Sequence, residues 1–188
     1  TSAIAVAIVA TLPIAALAET PQRGGTLTWA ITAEPPTYDC HATGTFATMQ
    51  RVAPHYSTLL KFEPGNYPNI VGDLAASWTI SPDNLTYTFK LHPNVKFHDG
   101  TVLTSEDLKA TYDRIIDPPQ GVVSNRQGSF DKVASVETPD PLTVVFRMKE
   151  VDSSMMTNFA SPWNCVYSAA RLKQDPNFPA KNIIGTGP

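Results

Sequence analysis

A chain of 188 residues, 42% of them apolar, has enough hydrophobic content for a packed core and is unlike a disordered segment. Its formal net charge of −3 excludes the basic footprint of a nucleic-acid binder, so no nucleic-acid partner is expected. The 17 prolines are scattered, which marks them as turn punctuation and not as a low-complexity tract.

Residues 2–18 read SAIAVAIVATLPIAALA and carry no charge. The stretch is short for a membrane span and is broken by Thr11 and Pro13. It closes on Ala16-Leu17-Ala18, a small-x-small site followed by polar Glu19-Thr20, as in a secretory apolar region and its cleavage site. Residues 1–18 are therefore expected to be a signal peptide, clipped at its start, with a buried core helix as the competing reading. No cysteine directly follows the cleavage site, so a lipid anchor is not expected there. Export places the mature chain in an oxidising space. Its two cysteines, Cys40 and Cys165, lack paired spacing and neighbouring ligand residues, which argues against zinc. A single long-range disulfide is open to them. The favoured reading is two separate buried thiols, because cysteine is commonly buried without bonding.

Thr26 to Ile31 (TLTWAI) reads as an opening strand behind Gly24-Gly25, stopped at Glu34-Pro35-Pro36. The spacing of Met49, Val52, Ala53, Tyr56, Leu59 and Leu60 predicts a helix over about 45–60, with a kink or a later start at Pro54. Ser77 to Ile80 is a short strand, and Ser81-Pro82-Asp83-Asn84 has tight-turn chemistry. Leu85, Tyr87, Phe89 and Leu91 then alternate with polar residues, the clearest hairpin in the chain. After a turn at Asp99-Gly100, Thr104 and Asp107 form a capping-box pattern at the start of a helix. Its buried stripe is Leu108, Tyr112, Ile115 and Ile116, and Asp117-Pro118-Pro119 ends it. Residues 121–128 read as a loop. Val133 to Val136 and Leu142 to Met148 are strands across a Pro139-Asp140-Pro141 turn. Ser153 to Ala160 is a short helix, and 161–165 a loop. Trp29 and Trp78 fall in strand patterns and are assigned to the core.

The sequence contains no nucleophile elbow, no zinc-protease helix motif and no phosphate-cradling glycine loop. His41, His55, His92 and His98 are dispersed. His98-Asp99 sits in a turn, where adjacent side chains rarely point together. No catalytic residue, metal ligand or cofactor is expected. An α/β pattern with antiparallel hairpins does not by itself define a function.

The run LAASWTISPDNLTYTFKLHPNVKFHDG, residues 74–100, followed by Thr101 to Leu108, resembles the signature of the bacterial extracellular solute-binding proteins of family 5. That family includes oligopeptide-, dipeptide- and nickel-binding components of ABC importers. Gly24-Gly25-Thr26-Leu27, Tyr38-Asp39-Cys40-His41, Pro139-Asp140 and Gly185-Thr186-Gly187-Pro188 resemble further parts of the family pattern. Cys40 replaces a usual proline, His92 stands where arginine is common, and Pro54 interrupts a helix usually free of proline.

The resemblance implies the first lobe of a two-lobe periplasmic-binding-protein type II fold, of α/β class with a mixed sheet. Residues 19–188 would be that lobe, incomplete, with the second lobe missing. It further implies a periplasmic monomer that closes on a peptide or peptide-like solute and hands it to inner-membrane permease subunits. A non-peptide cargo (a sugar oligomer, an opine or a metal chelate) is the alternative in the same fold. An exported hydrolase is the alternative from another class. Three segments correspond to cleft-facing parts of the family's first lobe: Gly44-Thr45-Phe46, the loop around Arg126 and Gly128, and Trp163-Asn164. The first could make strand-like backbone contacts to an extended ligand, Arg126 could take a carboxylate in bidentate fashion, and the Trp163 indole could pack on an apolar group or a cation. Phe46 reads equally well as core, and Arg126 equally well as a solvated charge. Asp39 reads as a loop-bracing acceptor.

Overall fold

A computed structural model describes residues 24–26 and 28–187; the expected signal peptide lies outside the described residues. Residues 31–188 form one compact unit. The expected opening strand is not formed: none of the described residues between 24 and 31 is in a ladder, and Trp29 is 49% exposed instead of in the core. A β-rich composition supplies propensity only, and a strand exists only where an edge accepts its hydrogen bonds.

Helix α1 spans Phe46–Val52, shorter than its periodicity suggests. Proline lacks the N–H that would continue the ladder, and at Ala53–His55 the chain tightens into a 3-10 turn with Pro54 inside it. Leu59 and Leu60, which match the helical spacing, are fully buried but belong to the approach to strand β1, Leu60–Phe62. An apolar pair at helical spacing is also what a buried strand entrance looks like. β1 pairs antiparallel with β2, Ile70–Gly72.

The main sheet has the order β3-β4-β6-β5, with β3 Ala75–Ile80, β4 Thr86–Leu91, β5 Val133–Asp140 and β6 Thr143–Met148. Every pairing among the described strands is antiparallel. The Ser81–Asn84 turn closes the β3–β4 hairpin, with Asn84 at φ 58, a left-handed position that Asn tolerates. Tyr87, Phe89 and Leu91 of β4 face the core as their alternation predicts. The last strand pair turns more tightly than expected, because β5 runs through Pro139. A proline fits there because β5 is an edge strand and its register shifts between Glu137 and Asp140.

Helix α2, Ser105–Ile116, covers the sheet. Leu108, Tyr112 and Ile115 are fully buried against it, and Tyr112 meets Phe146 at 4.8 Å and Phe130 at 5.4 Å between ring centroids. Phe159, from α3 (Met155–Phe159), joins the same aromatic cluster, 4.7 Å from Phe146 and 5.0 Å from Phe89. The capping box is present. Asp107 Oδ2 accepts from the Thr104 N–H at 2.8 Å, and its Oδ1 accepts from the Ala169 N–H, also at 2.8 Å. One carboxylate thus closes the α2 N-terminus and holds the start of α4, Ala169–Gln174. Asp107→Ala is expected to lower stability by roughly 1–3 kcal/mol, read as a shift in denaturant midpoint, because it strips a cap and orphans a second donor. A loss no larger than that of an exposed acid such as Asp83 would contradict this role.

A second face of α2 is also buried and is polar. Asp107, Thr111 and Arg114, one helical turn apart, look onto residues 167–176. At the end of the chain, the Gly185 and Gly187 backbones lie directly on the turn at residues 53–56. A Cβ on Gly185 would sit 2.0 Å from the His55 carbonyl oxygen, so a side chain has no room.

Candidate functional site

The segments 41–46, 124–128 and 161–165, far apart in sequence, meet in the compact unit. A buried scaffold holds them. Cys40 and Cys165 are joined in a disulfide, which corrects the expectation of two separate thiols. The two lie in different loops, and only the fold brings their Cα atoms to 6.0 Å, a separation a disulfide spans. Beneath it, Asp39 is buried and accepts from Arg114 Nη2 at 2.5 Å, Tyr167 Oη at 3.1 Å and the His41 backbone N–H at 3.0 Å. The bracing role read for Asp39 is the observed one. His41 completes the cluster. Its Nε2 faces the Cys165 carbonyl oxygen at 3.0 Å and so carries the proton, which leaves Nδ1 to accept from Arg114 Nη1 at 2.9 Å. Burial pushes the His41 pKa down to about 4, the Asp39 charge partly opposing it, so the ring is neutral.

On this base the sequence-predicted residues fall as follows. Gly44, Thr45 and Phe46 are exposed, Phe46 at 78%, which removes its assignment to the core. Thr45 precedes α1, where its hydroxyl lies 3.2 Å from that of Thr48. Arg126 is half-buried and not a solvated charge. Its guanidinium lies over the Trp163 ring, 5.2 Å from the centroid, and a Cβ on Gly44 would be 3.4 Å from its Nη2. Position 44 thus lies within ordinary contact range of the guanidinium. Among the described residues no carboxylate pairs with Arg126, and its Nε–H is buried without an acceptor. Burial lowers its pKa from the usual arginine value. Gly128 sits on the neighbouring 3-10 turn, Gln127–Ser129, with open space where a Cβ would be. Asn164 is fully buried, its amide donating to the Asn158 carbonyl oxygen at 2.7 Å, so its side chain braces the loop from within. The structure thus brings Gly44, Arg126 and Trp163 together, sets Phe46 and Gly128 at their margin, and turns Asn164 inward.

A cavity of about 270 Å³ adjoins Arg126, walled by Phe62, Tyr67, Phe130, Asn158 and Asn164 among others. Sequence reasoning missed this wall, and it missed the buried Asp39–His41–Arg114–Tyr167 cluster. The one signal for the cluster was an arginine facing neither stripe nor solvent on an otherwise regular helix.

A cation stacked on an indole, flanked by an open loop and without an acidic partner among the described residues, is chemically able to take a carboxylate, and the unit that carries it has the fold of periplasmic binding proteins. The solved structure of the binding protein AgaA of A. tumefaciens R10, in complex with agropinic acid, matches 82% of this chain with a TM-score of 0.74 and 31% identity, covering 30% of that chain. DppA of Helicobacter pylori, in complex with the peptide STSA, matches 83% of this chain with a TM-score of 0.74 and 26% identity, covering 34% of that chain. The family model described as bacterial extracellular solute-binding proteins, family 5 middle, matches residues 69–188, and the chain belongs to that family. A protein of Brucella ovis named as a candidate ABC transporter peptide-binding protein is 44% identical over 126 residues, 64% of this chain. The glutathione-binding protein GsiB of Pectobacterium atrosepticum is 37% identical over 119 residues, 63% of this chain. The chain spans 23% of the length of each of these two relatives. The family is one of extracellular substrate-binding proteins, not enzymes.

Proposed function

We propose that this chain is the first lobe of a periplasmic substrate-binding protein that captures a peptide or peptide-like solute for an ABC importer, and that Gly44, Arg126 and Trp163 line its side of the ligand cleft. The observation that carries the reading is Arg126: a half-buried cation, held against Trp163 and Gly44, with no carboxylate of its own among the described residues. A partly desolvated guanidinium without an acidic partner is suited to receive one, and a ligand carboxylate would satisfy its fork in bidentate geometry. The exposed backbone of Gly44-Thr45-Phe46 offers strand-like hydrogen bonds to an extended ligand. Relatives named for peptide and glutathione binding support the solute class, since both ligands carry free carboxylates. In this reading residues 1–18 direct export, the rest of the protein supplies the opposing lobe, and permease subunits in the inner membrane receive the cargo.

The test is a ligand panel on the intact protein, read as a rise in melting temperature. Peptides and glutathione are expected to stabilise it, and Arg126→Ala to weaken their binding by roughly 10- to 100-fold, the scale of a lost charge-assisted pair. Stabilisation by sugar oligomers or metal chelates alone would transfer the protein to a different cargo class. Unchanged peptide affinity in Arg126→Ala would remove Arg126 from the site.

A further inference from the structure

The cavity beside Arg126 has a composition and size that bear on the ligand. Its volume of about 270 Å³ lies just under the roughly 300–1,000 Å³ of pockets that enclose whole small-molecule ligands. It is therefore suited to part of a ligand, and it opens beside the one cation of the site. Phe62 and Tyr67 form an aromatic pair on its wall, ring centroids 5.1 Å apart and tilted by 47°. Phe62 is partly buried at the end of β1, but Tyr67 is 78% exposed.

An exposed tyrosine on a loose loop would carry little meaning, since single exposed apolar residues are common. This loop is tied down. Glu63 accepts from both Asn66 Nδ2 and Asn69 Nδ2 through one carboxylate oxygen, at 2.9 and 2.7 Å. Its backbone N–H also donates to the Asn69 carbonyl oxygen at 2.8 Å, and the Asn69 N–H donates to that of Asn66 at 2.9 Å. These bonds hold residues 63–69 as a closed loop and present the Tyr67 ring without an ordering cost at binding. Phe130 on the same wall is buried in the core and gives the cavity a fixed apolar side.

We infer that this cavity is a compartment for an aromatic side chain of the bound solute, that Tyr67 and Phe62 form its stacking wall, and that Tyr67 sets the preference. The inference rests on the peptide-capture reading above and adds which side chain the site selects. A ligand whose carboxylate reaches Arg126 places its neighbouring side chain at this wall, where ring-on-ring contact favours an aromatic over a small aliphatic group.

The experiment is isothermal titration of the intact protein with matched peptides of two to five residues that differ only in carrying phenylalanine or alanine at one position. The wild-type protein is expected to prefer the phenylalanine member of at least one pair by roughly three- to tenfold. Tyr67→Ala should erase that preference, lowering the phenylalanine peptide's affinity to about that of its alanine partner, because the ring contacts the distinguishing side chain. Tyr67→Phe should retain it. Peptides bound with no discrimination by the wild type, or weakened equally in each pair by Tyr67→Ala, would overturn the compartment and leave peptide capture standing. Binding of no peptide at all would overturn both.

Discussion

Replacing Arg114 by methionine in the intact protein is expected to lower the stability of this compact unit by about 3–5 kcal/mol, among the largest effects of any single substitution in it. Arg114 and Asp39 are both almost fully buried and share hydrogen bonds with each other, with His41 and with the Pro176 carbonyl oxygen, which accepts from Arg114 Nε at 3.1 Å. Removing the guanidinium leaves a carboxylate in a space that cannot solvate it, and the cost is that of the unpaired charge more than of the lost attraction. The double variant Asp39→Leu with Arg114→Met should therefore recover a large part of the loss, which a denaturant series reads as coupling between the sites. Equal and additive losses in the two single variants would show that the pair is solvated in solution.

The same cluster sets a pH dependence. His41 ionises at about 4 when folded against 6.5 as a free side chain. Between those values the unfolded chain holds the extra proton, so stability rises with pH. The contribution is complete above about pH 6.5 and is lost as the pH falls through 4, in total roughly 3 kcal/mol. His41→Gln is expected to flatten the stability profile in that window. A parent profile flat from pH 7 to 4 would contradict the neutral, buried ring.

Opening the disulfide is the second large effect. Cys40 and Cys165 are 125 residues apart, and closing a loop of that length restricts the unfolded chain by roughly 4–5 kcal/mol. The Cys40→Ala, Cys165→Ala double variant should lose about that much stability, measured by thermal or denaturant unfolding of the oxidised proteins. Both cysteines are fully buried, so a reductant should act on the folded parent only as fast as the structure around them opens, which makes reduction strongly denaturant-dependent. The bond also joins the loop that leads to Gly44 with the one that carries Trp163, so ligand affinity should fall along with stability in the double variant. Full ligand affinity in a destabilised protein would separate the disulfide from the site.

The hairpin at residues 75–91, helix α2 with its capping box, and the later strand pair were legible in the sequence, because each is specified by local chemistry. Alternation of Tyr87, Phe89 and Leu91 selects one sheet face, Thr104 and Asp107 satisfy the first donors of a helix, and Asp117-Pro118-Pro119 stops it. Local signals were also where the reading overreached. Leu59 and Leu60 continue a helical period but enter a strand, and Thr26 to Ile31 has strand propensity without a ladder among the described residues.

The loops carrying Gly44, Arg126 and Trp163 were identified by resemblance, but their contact with one another was not legible. Nothing local relates residue 44 to residue 126 or 163. Their meeting is decided by the packing of α2 against residues 165–172, which also brings Cys40 to Cys165 and buries Asp39 on Arg114. The sequence alone therefore determined most of the elements and their order, which follow from periodicity, caps and turns that act over a few residues, and its motifs carried the resemblance to the family. The tertiary structure alone decided the disulfide, the buried charge cluster and the cavity beside Arg126. Those depend on which distant side chains share a desolvated space, and burial is a property of the assembled fold that no short stretch of chain encodes.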